Sequence, residues 1–229
     1  MIPSIKSNDL DFANFIKSFL SIFDKSFLVY FPIKKSDETK IKLDRKTVNL
    51  ISIIEEVCKH AELMGYDKKI QIVIAYLEPV EIEGDSVRLR QMVWNLLNNA
   101  IKYTPGKGVV KVSLQNREEW AILTVEDTGI GIPEKHLSNI FNRFYRIDKA
   151  RSRQEGGSGL GLAICKYIVE SHQGEIQVDS EVGKGTRFKI RLPKVWSRFL
   201  EARLGYYPPG SFGELRLPRR NDGRDRFPY

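Results

Sequence analysis

One segment constrains the fold of this chain more than any other: Trp94–Thr104, with the sequence W-N-L-L-N-N-A-I-K-Y-T. At about 100° per residue, a helix through this segment and the turns before it separates apolar from polar side chains. The apolar face consists of Leu89, Met92, Val93, Leu96, Leu97, Ala100 and Ile101. The polar face consists of Arg88, Gln91, Asn95, Asn99 and Lys102. The pattern predicts a helix with one buried face.

The polar face has two interpretations. Amide oxygens suit hard cations and a lysine suits phosphate, so the face is fit to hold a metal–phosphate ligand. The alternative is an ordinary solvated face. Asn95 and Asn99 favour the first interpretation, because asparagine is a mediocre helix former and a poor choice where only solvation is needed.

Composition is that of a soluble globular protein, with 41% hydrophobic and 10% aromatic residues among 229. A net charge of +8 suits nucleic acid or an acidic membrane. Half of that excess lies in residues 194–229, which carry eight Lys or Arg and four Asp or Glu. This tail lacks aromatic residues interleaved along a helix or sheet, so we expect no nucleic-acid partner and a disordered segment.

The only cysteines, Cys58 and Cys165, lie inside apolar helical patterns. Two buried thiols fit a reducing compartment, so we expect a cytoplasmic protein. Residues 10–31 repeat aromatic and aliphatic side chains at helical spacing, which predicts an amphipathic helix that docks on another helix, as in a dimer; the alternative is a helix lying on a membrane surface. Lys17 and Asp24 interrupt its most apolar part, so we expect no membrane span. Residues 34–45 are charged and predict a linker.

Further along the chain, periodicity predicts helices over 50–65, 85–104, 133–140 and 160–172. The apolar residues whose pattern predicts the first of these helices are Ile53, Ile54, Val57, Ala61, Leu63 and Met64. Predicted strands are 69–76, 109–115, 120–127, 175–180 and 186–192. Because the strands come in hairpins rather than in regular β-α-β alternation, we predict an α+β fold: a two-layer sandwich whose mixed, mostly antiparallel sheet is covered by helices on one face.

Three glycine-rich elements follow the central helix. They are Asp127-x-Gly129-x-Gly131, Gly157-x-Gly159-x-Gly161 and Gly183-x-Gly185-Thr186. The second opens a predicted helix, where free backbone N–H groups and the helix dipole attract phosphate. It lacks the G-K-[ST] of a P-loop, and it is not the G-x-G-x-x-G that directly follows a strand in dinucleotide-binding folds.

Asp127-Thr128-Gly129 also matches the triplet of aspartic proteases. That chemistry needs a second carboxylate on an almost all-β scaffold, and this chain has five predicted helices and no second D-T-G. A carboxylate at a strand end beside glycine can instead accept a hydrogen bond from an adenine amino group, with the glycine giving the base room.

In this order and spacing, the segments resemble the ATP-binding catalytic domain of sensor histidine kinases, within the gyrase, heat-shock-chaperone, histidine-kinase and mismatch-repair superfamily. The matching segments are N-L-L-N-N-A-I-K-Y-T (N box), D-T-G-I-G-I-P (first glycine box), I-F-N-R-F-Y-R (F box), G-G-S-G-L-G-L-A-I (second glycine box) and G-K-G-T-R-F (third glycine box). The resemblance covers residues 36–193. It implies a Bergerat-type fold that binds ATP and Mg²⁺, preceded by a helical segment at 1–35 that could be a remnant of a dimerisation helix, and followed by the tail at 194–229.

The resemblance implies roles for individual residues. Asn99 would ligate Mg²⁺, Asn95 would support the phosphates or the metal, and Lys102 would pair with phosphate. Tyr103 would lie against the nucleotide, Asp127 would bind the adenine amine and Thr186 would assist it. The glycines that would permit close approach are Gly129 and Gly131, and the phosphate end of the lid would consist of Gly157, Gly159, Leu160 and Gly161. Arg143 would contact the transferred phosphate, and 146–157 would form the mobile lid.

One position distinguishes branches of the superfamily. ATP-hydrolysing branches have a water-activating glutamate four residues before the metal-binding asparagine, and this chain has Asn95 there, as histidine kinases do. The γ-phosphoryl group would therefore pass to a histidine.

No acceptor motif of the form His-Glu/Asp-Leu-Arg-Thr-Pro is present. We interpret His60 and His136 as helix-surface residues and His172 as a cation at a helix C-terminus. The expected partners are a histidine-bearing dimerisation domain and a response regulator. The alternative is an ATP-binding sensing or interaction module without phosphotransfer.

Overall fold

The computed structural model describes residues 43–147 and 158–194, and all helices and strands below lie in these ranges. The helices are α1 (Leu50–Gly65), α2 (Ser86–Tyr103), α3 (Glu134–Leu137) and α4 (Gly161–Ser171). The strands are β1 (Lys46–Asn49), β2 (Gln71–Leu77), β3 (Glu81–Gly84), β4 (Val109–Arg117), β5 (Trp120–Asp127), β6 (Glu175–Glu181) and β7 (Gly185–Pro193).

The main sheet has the order β2-β4-β5-β7-β6. Only the β2–β4 pair is parallel, and the other three pairs are antiparallel. Along β5 the side chains alternate, with Ala121, Leu123 and Val125 buried beneath the helices and their neighbours partly exposed on the opposite face. The predicted α+β sandwich with a mixed, mostly antiparallel sheet and helices on one face is confirmed.

Helix α2 is the central helix of the molecule. Its N-cap is Asp85, whose Oδ1 accepts hydrogen bonds from the backbone N–H groups of Val87 (3.0 Å) and Arg88 (3.1 Å). Every residue of the predicted apolar face is buried. The polar face differs at Gln91, which is also buried and accepts a hydrogen bond from Arg88 Nη1 at 3.2 Å. The amide therefore enters the core with a partner.

The predicted hairpins β4–β5 and β6–β7 are confirmed in position and pairing. Some apolar residues of other elements are exposed. Leu63 and Met64, in the predicted apolar pattern of α1, are half exposed, although Ala61 and Gly65 on the same turn are buried. Ile74 is 40% exposed on β2, which is an edge strand of the sheet.

The sequence patterns missed a second sheet. Strands β1 and β3 pair antiparallel, with Val48 opposite Ile82, and Ile82 also bridges to Lys194. The end of the predicted linker is also held in the fold. Arg45 Nη2 donates to the backbone oxygen of Ser171 at 2.6 Å. The helix predicted over 133–140 is shorter and comprises Glu134–Leu137.

Three predictions fall outside the described residues: the amphipathic helix at 10–31, most of the lid at 146–157, and the tail beyond Lys194. Among the residues that are described, no helix combines the length and the apolar character needed to cross a membrane. Cys58 and Cys165 are buried free thiols, as predicted. Burial raises the pKa of Cys58 to about 12, so this thiol stays protonated and unreactive at neutral pH.

Candidate nucleotide-binding site

Asp127 lies at the end of β5 and is 7% exposed. Its Oδ1 accepts hydrogen bonds from the backbone N–H groups of Gly129 (2.8 Å) and Thr186 (3.3 Å). Burial raises the pKa of this carboxyl group, and the two backbone hydrogen bonds oppose that shift. Within the described chain no residue donates to Oδ2. The carboxylate is thus fixed through one oxygen while the other remains able to accept a hydrogen bond from a ligand.

The turn after Asp127 is held from two sides. The backbone N–H of Ile130 donates to the Tyr103 carbonyl oxygen at the end of α2 (3.1 Å), and Gly183 N–H in the β6–β7 turn donates to the Ile130 carbonyl (2.9 Å). Gly131 has φ +70°, and a Cβ there would overlap the carbonyl oxygen of Glu181. The first glycine box is therefore closely packed between α2 and the last hairpin.

Thr186 is buried beside Asp127, at the start of β7. Its hydroxyl oxygen lies 2.9 Å from Ser180 Oγ, which donates to the Gly185 carbonyl (2.9 Å) and accepts from Ile132 N–H (2.8 Å). Because the single Ser180 proton points to Gly185, the Thr186 hydroxyl is the donor in the shared bond. Its oxygen lone pairs remain available to a ligand or to a bridging water.

A second group of predicted residues lies between α2 and α4. Asn95 Nδ2 is 3.5 Å from the Gly161 carbonyl oxygen, at the limit of a hydrogen bond. A Cβ at Gly161 would lie 3.8 Å from Asn99 Nδ2 and 3.9 Å from Asn95 Cγ. Both asparagines are half-buried, so this part of the polar face of α2 lies against the second glycine box rather than in bulk water. The first turn of α4, whose backbone N–H groups have no partner within the helix, begins at this gap.

The end of α2 connects these two groups. Lys102 Nζ lies 5.4 Å from the centre of the Tyr103 ring, and that ring is 43% exposed. Asn99 and Tyr103 are one helical turn apart and therefore lie on the same side of α2. One helix thus contributes side chains to the gap beside α4 and, through the Tyr103 carbonyl, a backbone contact to the turn after Asp127.

The remaining predicted residues are more scattered. Leu160 is the N-cap residue of α4 and is partly buried against the core. Gly159 has φ +72° and accepts a hydrogen bond from Phe144 N–H at 3.0 Å, which joins the F box to the second glycine box. Arg143 is exposed in the same turn. Gly157 lies outside the described residues.

Two residues were missed. Ser180 organises Thr186 through contacts that only the paired hairpin creates, so sequence offered no signal for it. Arg146 Nε and Nη2 are buried and have no hydrogen-bond partner in the parts of the chain that are described. An unpaired guanidinium is costly, so these atoms are suited to an anionic group. Arg146 is the second arginine of the R-F-Y-R segment, so the sequence does carry a signal for it.

His172 is not the predicted cation. Its Nε2 accepts a hydrogen bond from the backbone N–H of Asp85 at 3.0 Å, so the ring is neutral and Nδ1–H donates to the Ile168 carbonyl at 2.7 Å. His136 is half-buried and bonded through Nδ1 to the Tyr145 hydroxyl at 2.7 Å.

The chain is similar to known proteins in sequence and in fold. The sequence profile of the family described as histidine kinase-, DNA gyrase B- and HSP90-like ATPase matches residues 84–195. The probable sensor kinase SilS of Salmonella typhimurium is 46% identical over 117 residues, covering 51% of this chain. The mycobacterial sensor histidine kinase MprB has a TM-score of 0.58 at 32% identity, covering 65% of this chain and 97% of MprB's chain. Full-length ShkA in complex with AMPPNP has a TM-score of 0.60 at 27% identity, covering 68% of this chain and 32% of ShkA.

The chain spans 23% of the length of SilS, so it corresponds to one part of such a sensor kinase. That part contains the N box on α2, the glycine boxes after β5 and before α4, and the sheet that carries Asp127. The chain belongs to the sensor histidine kinase family and contains its ATP-binding catalytic domain.

Proposed function

We propose that this domain transfers the γ-phosphoryl group of Mg·ATP to a histidine on a dimerisation domain, from which a response regulator then receives it. The observation that carries the proposal is the amide of Asn95 at the gap between α2 and α4, where a water-activating branch of the superfamily would have a carboxylate. An amide cannot take a proton from water, so the phosphoryl group awaits a better nucleophile, and neutral imidazole is one.

The adenine end would work by hydrogen bonding. The exocyclic amine of adenine donates to Asp127 Oδ2, and the Thr186 hydroxyl oxygen is available to the same base directly or through water. This arrangement requires a glycine at position 129, because a Cβ there would lie 2.5 Å from Asp127 Oδ1 and 2.7 Å from the Tyr103 carbonyl oxygen. These contacts fix the base, and the fixed base directs the phosphates toward α4.

The phosphate end would work by charge neutralisation and orientation. Lys102 and the first-turn N–H groups of α4 receive the phosphates, and Arg146 is a better candidate than Arg143 because its buried nitrogens lack a described partner. Asn99 would hold Mg²⁺ through its amide oxygen, and the ion would supply charge neutralisation on the phosphates.

The donor set fits Mg²⁺ arriving with the nucleotide. Within residues 43–147 and 158–194, no cluster of three acidic, cysteine or histidine side chains could hold a metal ion by itself. Mg²⁺ commonly binds through few protein ligands together with substrate phosphates and water. We expect Mg²⁺ to bind measurably only when ATP or ADP is present.

The test is phosphotransfer to a separately produced histidine-bearing helix pair from a related kinase. We expect γ-labelled ATP to give slow, acid-labile labelling of that partner and none of this chain, because the reaction in trans lacks a tethered effective concentration. An Asp127→Asn variant serves as the negative control. Tight ATP binding without labelling of any compatible partner would instead support a nucleotide-sensing module, and labelled His60, His136 or His172 would reveal an internal acceptor.

We propose that the domain operates in the cytoplasm, where ATP and a response regulator are both available. Cell fractionation that placed the protein outside this compartment would contradict the proposal.

A further inference from the structure

Helices α2 and α4 run antiparallel, and His172 joins the N-terminal end of α2 to the C-terminal end of α4. This side chain is 1% exposed and connects two backbones: it accepts from Asp85 N–H (3.0 Å) and donates to the Ile168 carbonyl (2.7 Å). Asp85 is also the N-cap of α2. A single neutral ring therefore ties the first turn of α2 to the last turn of α4.

The packing around this ring leaves it little freedom. A Cβ at Gly84 would lie 2.9 Å from His172 Cδ2 and 3.1 Å from Nε2, so the ring rests directly on the backbone of β3. Halfway along the pair, Cys165 Sγ lies 3.6 Å from the Met92 carbonyl oxygen. Contacts between α2 and α4 thus continue from His172 toward the gap between Asn95 and Gly161.

The chain that leads into the domain contacts the same tied end. Arg45 Nη2 donates to the Ser171 carbonyl at 2.6 Å, and the backbone N–H of Asp44 donates to Asp85 Oδ2 at 3.2 Å. One contact is made to α4 and the other to the cap of α2. A displacement of the preceding segment therefore acts on both helices at once.

The opposite end of the pair is the phosphate gap. Eleven residues separate Gly161 from His172, which corresponds to about 16 Å of helix. A change of a few degrees in the helix crossing angle at His172 shifts Gly161 relative to Asn95 and Asn99 by about 1 Å, enough to disturb phosphate positioning.

We propose that Arg45, Asp85 and His172 form a clamp that sets the width of the phosphate gap and connects it to the chain preceding Asp44. They are positioning residues, because they act through α2 and α4 and touch no ligand. The proposal rests on the proposed function, since it takes the gap between Asn95 and Gly161 as the phosphate site. It predicts that weakening the clamp impairs phosphate binding and spares adenine binding at Asp127.

The test compares two competitors for one fluorescent ATP analogue: ATP, which uses both ends of the site, and adenosine, which uses only the base end. For His172→Leu we expect about tenfold weaker ATP binding and adenosine binding within about twofold of the parent protein. His172→Gln, which keeps an acceptor for Asp85 N–H, is expected to recover most of the ATP affinity. Val57→Ala, a buried change on α1 that removes no clamp residue, controls for general destabilisation.

Arg45→Met tests the clamp even where a substitution at the buried ring prevents folding. We expect about threefold weaker ATP binding with unchanged adenosine binding. Arg90→Met is the matched control, because Arg90 pairs with Glu56 at 2.9 Å and joins α2 to α1 instead of α4.

If the parent protein binds no ATP, the proposed function itself fails. If the parent protein binds ATP, but Arg45→Met and His172→Leu lower ATP and adenosine affinity equally, or lower neither, the clamp is overturned and the proposed function stands.

Discussion

The two ends of the nucleotide site are built differently. At the base end, Asp127 is buried, bonded to two backbone N–H groups and surrounded by turns that are pinned to α2 and to the last hairpin. At the phosphate end, the described contact between the two helices is a 3.5 Å approach of Asn95 to Gly161. One end consists of interlocked backbone, and at the other the side chains of Asn95 and Asn99 face the backbone at Gly161.

This difference separates two tasks. Under the proposed function, a rigid acceptor at Asp127 would discriminate between bases, because a buried site that hydrogen-bonds an amine rejects a base without one. The gap beside α4 would have to accept the phosphates, a metal ion and an incoming histidine. Loose direct contact between Asn95 and Gly161 leaves room for those changes.

The strongest test of the base end is Asp127→Asn. Its Oδ1 can still accept the Gly129 and Thr186 N–H groups, but its Nδ2 would then face the adenine amine, donor against donor. We expect ATP affinity to fall by about 10- to 150-fold, equivalent to roughly 1.5–3 kcal/mol, with the fold retained. Calorimetry measures it, and Glu126→Gln, an exposed neighbour paired with Arg187, is the matched control. Unchanged ATP binding in Asp127→Asn would remove Asp127 from base recognition.

At the phosphate end, Asn99→Ala tests the metal ligand. We expect the Mg²⁺-dependent gain in ATP affinity to shrink by about 10- to 100-fold, while ATP binding without metal changes little. The measurement is an ATP titration with Mg²⁺ and with a chelator. Asn98→Ala alters the adjacent asparagine on another face of α2 and is expected to leave the Mg²⁺ effect intact. A full Mg²⁺ effect in Asn99→Ala would contradict the assignment.

Lowering the pH tests the base end separately, because protonation of Asp127 should weaken adenosine binding. Because burial raises the pKa of Asp127, its carboxylate takes up a proton at a higher pH than an ordinary carboxyl with a pKa of 3.8. Protonation removes the acceptor, so we expect adenosine affinity to fall by up to about tenfold per pH unit below that pKa. Asp127→Asn should show no such dependence, and titration with adenosine avoids the ionisation of the phosphates.

The raised pKa of Asp127 affects folding stability in the opposite direction: it favours the folded state at low pH. Asp127 favours the folded state most below pH 3.8, and this contribution is lost as the pH rises through the raised pKa. In urea unfolding, Asp127→Asn should therefore gain stability relative to the parent above that pKa. A stability change in the other direction would mean that the backbone hydrogen bonds outweigh burial.

The smallest expected effect comes from Gly161→Ala, which narrows the gap directly. The added Cβ meets Asn99 and Asn95 at 3.8 to 4.0 Å, which is ordinary contact, so the fold should be kept. Occupying that space should weaken ATP by about threefold without changing adenosine affinity. For Gly131→Ala at the base end, we expect mainly a loss of thermal stability, because the added Cβ collides with backbone and φ is positive. Thermal unfolding of both variants provides the comparison.

The features that sequence predicted well are local. The buried face of α2 and the hairpins β4–β5 and β6–β7 follow from periodicity within one segment or across one turn. Asp127 and the glycine boxes were identifiable because each motif is contiguous. The structure brings Gly129 and Thr186 to Asp127, and Gly161 to Asn95 and Asn99.

What sequence could not predict depends on partners distant in the chain. Strand β1 is four residues with mixed polarity, and its partner β3 lies more than thirty residues away, so neither shows a strand pattern alone. His172 looks like a surface residue until its partner Asp85, 87 residues earlier in the chain, is placed beside it. A polar side chain is buried only where the fold supplies a partner, and periodicity does not encode that.

The pairing of strand β3 has a practical consequence for fusing other proteins to this domain. Ile82 pairs with Val48 on one side and Lys194 on the other, so the chain enters and leaves the described fold on the two edges of one short strand. Trp120 and Pro193 lie at that end of β5 and β7, and Asp127 and Thr186 lie at the opposite end, about 24 Å away. A tag or fluorescent reporter joined after Lys194 is therefore expected to leave the proposed base site at Asp127 accessible.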